Sequence, residues 1–197
     1  MKFKKLSVLF CSLLALTSVM AVSAAEAETV SETEAASEEE STASGADEET
    51  EYPITIQHAY GETVIESKPE RIATVGWENQ DTPLALGIAH VGVSAANYGM
   101  VTENNLHPWT DEAFQELGVD TPNIFDDVDG LDFEAISDCN PDVILASYSG
   151  MTQEDYDTLS QIAPVVPFRE AAWKTTWRDQ TIENAEGMGM KAEGEAK

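Results

Sequence analysis

"VILASYSGMTQEDYDTLSQIAPVVPF", residues 143–168, sets out one repeating unit of a fold. Val143 to Ala146 is an unbroken apolar run of strand length, preceded by the Asn140-Pro141 break. A polar turn, Ser147-Tyr148-Ser149-Gly150, follows it. The spacing then predicts a helix from about Gln153 to Ile162 and a second strand over Val165 to Phe168. Strand, helix and strand with short connections predict parallel strands wrapped by helices.

The same alternation continues upstream. "KPERIATVGWENQDTPLALGIAHVGVSAANYG", residues 68–99, places a strand at Ile72 to Val75 and a helix at about Thr82 to Leu86, with Asp81 as its N-cap. Gly87 reads as the stop, and a further strand follows at Val91 to Val93. Pro83 fits the first helical turn, where the amide it lacks would be unpaired anyway. Before this unit, "YPITIQHAYGETVIES" alternates apolar and polar residues about Tyr60-Gly61 and predicts an edge β-hairpin. Asp132 is expected to cap a short helix ahead of the Asn140-Pro141 break. The fold class is therefore α/β, a parallel sheet flanked by helices with an N-terminal β-hairpin.

In open parallel sheets, ligands sit beyond the carboxyl ends of the strands. The residues leaving the proposed strands are Gly76-Trp77-Glu78-Asn79, Ser94-Ala95-Ala96-Asn97-Tyr98, Ser147-Tyr148-Ser149-Gly150 and Arg169. Solvent turns favour Pro, Asp and Gly over Trp and Tyr. Candidate ligand-binding residues are accordingly Trp77, Asn97, Tyr98, Tyr148, Ser149 and Arg169. Each aromatic could also serve as a core or lid residue. Arg71 begins its strand, so it belongs to the opposite edge and reads as a surface ion pair.

The N-terminus points to export. Lys2, Lys4 and Lys5 precede an uncharged apolar run from Leu6 to Val22 that closes on Ser23, Ala24 and Ala25. This is a secretory signal over residues 1–25, with cleavage after Ala24, Ala25 or Ala27; an uncleaved anchor is the alternative. Phe10 precedes Cys11 where lipid attachment favours a small residue, so Cys11 is expected to leave with the signal. Cys139 then remains as a lone thiol and reads as a small buried hydrophobe.

Residues 26–51 hold eleven acids, no base and no aromatic. Such a segment cannot bury enough apolar surface to order itself, and it reads as a disordered acidic spacer. Of the 37 acids and 10 bases, 26 acids and 7 bases lie after it. That balance argues against nucleic acid, whose phosphates need clustered Lys and Arg. About 145 residues remain, enough for one core.

"ERIATVGWENQDTPLALGIAHVGV" (70–93), "LDFEAISDCNPDVILASYSGMTQEDYDTLSQIAPVV" (131–166) and "WRDQTIENAEGMG" (177–189) resemble the iron-siderophore substrate-binding proteins of ABC importers, the two-lobed type joined by one long helix. The resemblance implies a periplasmic-binding-protein-like fold, with an N-terminal lobe over 52–170 and the start of a linking helix over 171–197. A second lobe would lie beyond it, so the chain is expected to be either a fragment or a truncated product with one wall of the cleft. It further implies an exported monomer, in the periplasm or at the outer face of the cell membrane, that captures a ferric siderophore and delivers it to a membrane permease. No metal would be ligated by the protein and no other cofactor held. Trp77, Tyr98 and Tyr148 occupy turns that line the ligand in the family, where flat aromatic faces suit chelating groups. Arg169 would reach a chelate oxygen with its planar fork.

Few bases accompany Arg169, only Lys174 and Arg178, so a hydroxamate-type or mixed siderophore is favoured over a highly charged catecholate. Glu154, Asp155 and Asp157 lie near the face that family members present to arginine pockets on the permease, and Glu154 and Asp157 share a helix face. A plain solvated helix face is the competing account. The acids of "FDDVDGLDFE" match a calcium loop only in part, and the segment reads as a turn ending in the Asp132 cap. An exported hydrolase and a surface adhesion module stay open as alternatives; the first lacks the G-x-S-x-G pattern around Ser149.

Overall fold

The computed structural model describes residues 50–197. The expected signal and nearly all of the expected acidic spacer lie outside the described residues. The chain opens on an antiparallel hairpin, β1 (Ile54–His58) and β2 (Gly61–Ile65), in register from Ile54 opposite Ile65 to His58 opposite Gly61. Its Ile56 and Ile65 point inward, while Thr55, Gln57 and Glu62 face water.

A five-stranded parallel sheet follows. Its strands are β3 (Ile72–Thr74), β4 (Gly92–Ser94), β5 (Ile124–Phe125), β6 (Val143–Ala146) and β7 (Val165–Pro167), in the order β5-β4-β3-β6-β7. The helices are α1 (Asp81–Ala85), α2 (Pro108–Glu116), α3 (Phe133–Asp138), α4 (Gln153–Leu159), α5 (Trp177–Gly187) and α6 (Lys191–Glu195). Every residue of β3, β4, β6 and β7 is buried, as a parallel sheet covered on both faces requires.

The period-2 alternation of strand side chains divides the core into two layers. Ala73, Ile144 and Ala146 pack with Ile136, Cys139 and Leu159. Ile72, Val143 and Leu145 pack with Ile56 and Ile65 of the hairpin and with Ala185 and Met188 near the end of α5. Cys139 is thus the buried hydrophobe expected, and burial raises its thiol pKa.

The local signals hold with some corrections. The Asp132 side chain accepts from the Ala135 amide at 3.0 Å and caps α3. Asp81 does not cap α1. It is the first helical residue, and Gln80, already in helical geometry, precedes it without a side-chain cap bond. α4 ends at Leu159 rather than Ile162, because Pro164 follows and the chain must turn into β7. Two elements are additional to the reading, α2 and β5. Among the described residues Arg71 forms no ion pair: its Nε donates to the Asn140 carbonyl at 2.7 Å and its Nη2 to that of Cys139, placing a cation at the C-terminus of α3.

Residues 171–197 differ from the single helix expected. A loop precedes α5, whose Thr176 N-cap accepts from the Asp179 amide at 3.2 Å. α5 then stops. Met190 N–H returns to the Ala185 carbonyl at 2.8 Å and Gly189 N–H to that of Glu186 at 3.0 Å, with Gly189 left-handed at φ 71°. This is a Schellman ending, and the chain restarts as α6 packed against α5.

Candidate ligand-binding site

The parallel strands bring their outgoing loops to one edge. β3 ends in Gly76, whose φ is 81° and whose backbone lies so near the β6 loop that a methyl there would sit 2.8 Å from the Tyr148 carbonyl oxygen. Only glycine fits both the conformation and the space. Trp77 N–H donates to that same Tyr148 carbonyl at 3.1 Å, which fastens the two loops together.

Beneath them Asn79, fully buried, forms a knot. Its Nδ2 donates to the carbonyls of Val75 (2.7 Å) and Tyr148 (3.0 Å). Its Oδ1 accepts from Tyr148 N–H at 3.2 Å, Gln180 Nε2 at 3.2 Å and Asn184 Nδ2 at 3.0 Å. Ser147 Oγ donates to Asn184 Oδ1 at 2.8 Å, and Gln180 Nε2 also reaches the Trp77 carbonyl at 2.9 Å. α5 therefore carries the polar side chains that hold the β3 and β6 loops in place.

Above the knot the aromatic rings gather. Trp77 lies 4.8 Å from Tyr98 and 5.4 Å from Trp173 between ring centroids, and Trp173 meets Tyr148 edge-on at 5.3 Å. Trp77 remains 40% exposed and Trp173 47%. Large aromatic faces left open at a sheet edge, rather than folded into a core, form a surface prepared for a flat or compact guest. Trp173 has φ 61° and Glu78 φ 57°, so two of the four left-handed non-glycine residues among those described stand at this rim.

A cavity of about 420 Å3 opens here, lined by Trp77, Asn97, Asp127, Ser149, Asp155 and Trp173 among others. Tyr98 borders an adjoining groove with Glu78, Asn97 and His107. Tyr148 meets Trp173 edge-on and lines neither space. Ser149 is buried, and its hydroxyl donates to the Ala146 carbonyl at 2.9 Å.

Of the residues expected at the edge, Trp77, Asn97, Tyr98, Tyr148 and Ser149 come together. Arg169 does not join them. Its Nε lies 3.1 Å from Glu183 Oε1 and its Nη2 donates to Glu186, one helical turn apart on α5, and it borders a separate cavity with Lys174 and Lys191. Two carboxylates on α5 claim the guanidinium, a pairing that only the tertiary fold reveals. Trp173 is the rim residue the sequence reading missed. It stands in the loop between β7 and α5, six residues past the end of the strand and beyond Arg169, and its backbone is left-handed.

The acids of the rim are electrostatically active. Tyr98 Oη donates to Glu78 Oε1, and the Tyr98 pKa is raised by burial, by that bond and by the Glu78 charge. Asp81 is pushed up to about 6, by burial first and then by the Glu78 carboxylate, against opposing pulls from His107 and Trp109. On α4, Asp155 is committed to a capping box with Thr152, at 2.9 Å from the Thr152 amide, whereas Glu154 and Asp157 are exposed.

Residues 72–197 match the family model described as periplasmic binding protein. The chain belongs to the periplasmic binding protein family. Among curated relatives, this periplasmic binding protein is 26% identical over 199 residues to the probable siderophore-binding lipoprotein YfiY of Bacillus subtilis, covering 97% of this chain and 51% of that one. The chain spans about half the length of the curated relatives it matches. The crystal structure of Streptococcus pneumoniae PiaA in complex with ferrichrome superposes with a TM-score of 0.70 at 51% identity, over 73% of this chain and 47% of that one. Staphylococcus aureus SirA complexed with staphyloferrin B gives a TM-score of 0.58 at 29% identity, over 73% of this chain and 44% of that one. No helix among the described residues is long and apolar enough to cross a membrane.

Proposed function

We propose that this periplasmic binding protein is the extracytoplasmic substrate-binding component of an ABC importer, capturing a ferric siderophore and passing it to a membrane permease. The observation that carries this reading is the open aromatic cluster of Trp77, Tyr98 and Trp173 at the carboxyl edge of the parallel sheet. Iron arrives already wrapped by its chelator, and the rings stack on the chelate rather than ligating the metal. The relatives named for siderophore binding and for a ferrichrome complex support the same substrate class.

A hydroxamate-type or mixed siderophore suits the rim best, because its cavity lining carries aromatic, amide and carboxylate groups. On this reading the rim is one wall of a cleft, the lobe spans residues 52–170, and Glu154 and Asp157 on the exposed face of α4 dock to the permease. The family is one of binding proteins, and the buried, backbone-bonded Ser149 hydroxyl offers no exposed nucleophile for the hydrolase alternative.

Calorimetric titration of the full chain with a ferric tris-hydroxamate tests this. Binding is expected, with Trp173→Ala weakening it about tenfold, since loss of one stacking face removes roughly 1–1.5 kcal/mol. No heat from the iron complex, or equal affinity for the complex and its metal-free chelator, would overturn the proposal.

A further inference from the structure

Six of the seven cations of the described residues are engaged or placed elsewhere, and the seventh, Lys197, follows α6. Arg71 is bonded to carbonyls after α3, and Arg169 is held by Glu183 and Glu186. Lys174 and Lys191 border the Arg169 cavity, Arg178 lies 4.5 Å over the Trp177 ring, and Lys68 lines a cleft with Glu66 and Glu70. No Lys or Arg lines the aromatic cavity or the Tyr98 groove.

Carboxylates do line them. Asp127 and Asp155 border the aromatic cavity and Glu78 the adjoining groove. Asp127 accepts the Gly76 amide at 3.3 Å through Oδ2, and Asp155 accepts from Thr152 through its own Oδ2. Among the described residues each has an Oδ1 with no hydrogen-bond partner. Half-buried carboxylates in a concave, partly apolar site focus a negative potential. The adjacent faces of Trp77 and Trp173 add a second attraction for cations, since a ring face is the negative pole of its quadrupole.

We infer that the site selects for positive charge on its ligand: it takes a ferric tris-hydroxamate carrying a protonated amine in preference to the same complex without that charge. The inference rests on the siderophore-binding reading and sharpens it from chelator type to ligand charge. Asp127 is the specificity-determining residue, standing at the end of β5 between the amide of Gly76 and the cavity. Ferric complexes with net negative charge meet the same field as repulsion, with no lysine or arginine among the described lining residues to offset it.

The test uses two probes that differ only in that charge: ferrioxamine B, a linear ferric tris-hydroxamate ending in a primary ammonium, and the same complex with the amine acetylated. Their dissociation constants are measured with the full chain at low and at high salt, for wild type and Asp127→Asn. The ammonium form is expected to bind about tenfold more tightly at low salt. That ratio should shrink in high salt and fall severalfold in Asp127→Asn. Equal affinities, or tighter binding of the acetylated form, would overturn the charge selection while leaving siderophore binding standing. If neither complex binds, the siderophore reading itself fails and the selection fails with it. A preference that persists unchanged in Asp127→Asn and in high salt would remove the electrostatic origin claimed here.

Discussion

Asn79 uses its whole amide inside the fold, two donations and three acceptances, with nothing left for a ligand. Replacing it by alanine strands the Tyr148 amide and the Asn184 amide in a buried space. Asn79→Ala should cost about 3 kcal/mol in urea denaturation, as expected when several buried polar groups lose partners together. It should also red-shift the tryptophan emission as the Trp77 loop loosens. The sequence reading placed Trp77, Asn97, Tyr98, Tyr148 and Ser149 at the rim because strand order alone decides which end of a strand a loop leaves. It named Asn79 only as part of the turn after the first parallel strand and assigned it no role, because its partners lie about 70 and 105 residues away and leave no local pattern. Arg169 was misplaced for a related reason: Glu183 and Glu186 lie on α5, 14 and 17 residues on, and only the path of the intervening loop brings them back to it.

At the scale of elements, the strands and the Asp132 cap were legible because apolar runs, prolines and capping residues act within a few positions. β5 was not, since two residues give no period to read. α2 was announced only by Pro108 at its first turn, followed by an exposed Trp109 that obscures the amphipathic pattern. The split between α5 and α6 has a local cause in Gly189, whose left-handed backbone completes the return of the Met190 and Gly189 amides. Gly189→Ala should destabilise the chain by about 1–2 kcal/mol, the cost of a left-handed residue bearing a Cβ. Added crowding comes from Tyr52, whose hydroxyl occupies the space that Cβ would enter. Equilibrium denaturation measures the loss. An unchanged midpoint would mean that α5 can end without the Schellman geometry.

Across the whole molecule, buried ionisable groups pull stability in opposite directions with pH. His90 is buried against Phe114, and burial lowers its pKa to about 3 against a weaker opposing pull from the Ile88 backbone. Below its ordinary pKa of 6.5 the unfolded chain takes up a proton that the folded one refuses, so stability falls as pH drops. Glu183 behaves inversely. Burial, against the opposing pull of Arg169, raises it from 4.5 to about 7, so its contribution is complete below 4.5 and is lost as pH rises through 7. His90→Leu should therefore gain on wild type by about 2 kcal/mol at pH 5 relative to pH 7. Glu183→Gln should lose less stability than wild type between pH 5 and pH 8. Denaturation at several pH values separates the two, and parallel curves for all three proteins would contradict the assignment.

Gln180 and Asn184 tie α5 to the very loops that carry Trp77 and Tyr148. Tilting that helix must drag both rings with it, because the bonds between them are short, buried and shared. The aromatic wall and α5 are thus coupled through Asn79, and a displacement of α5 is expected to register as a change in the spacing of the rings.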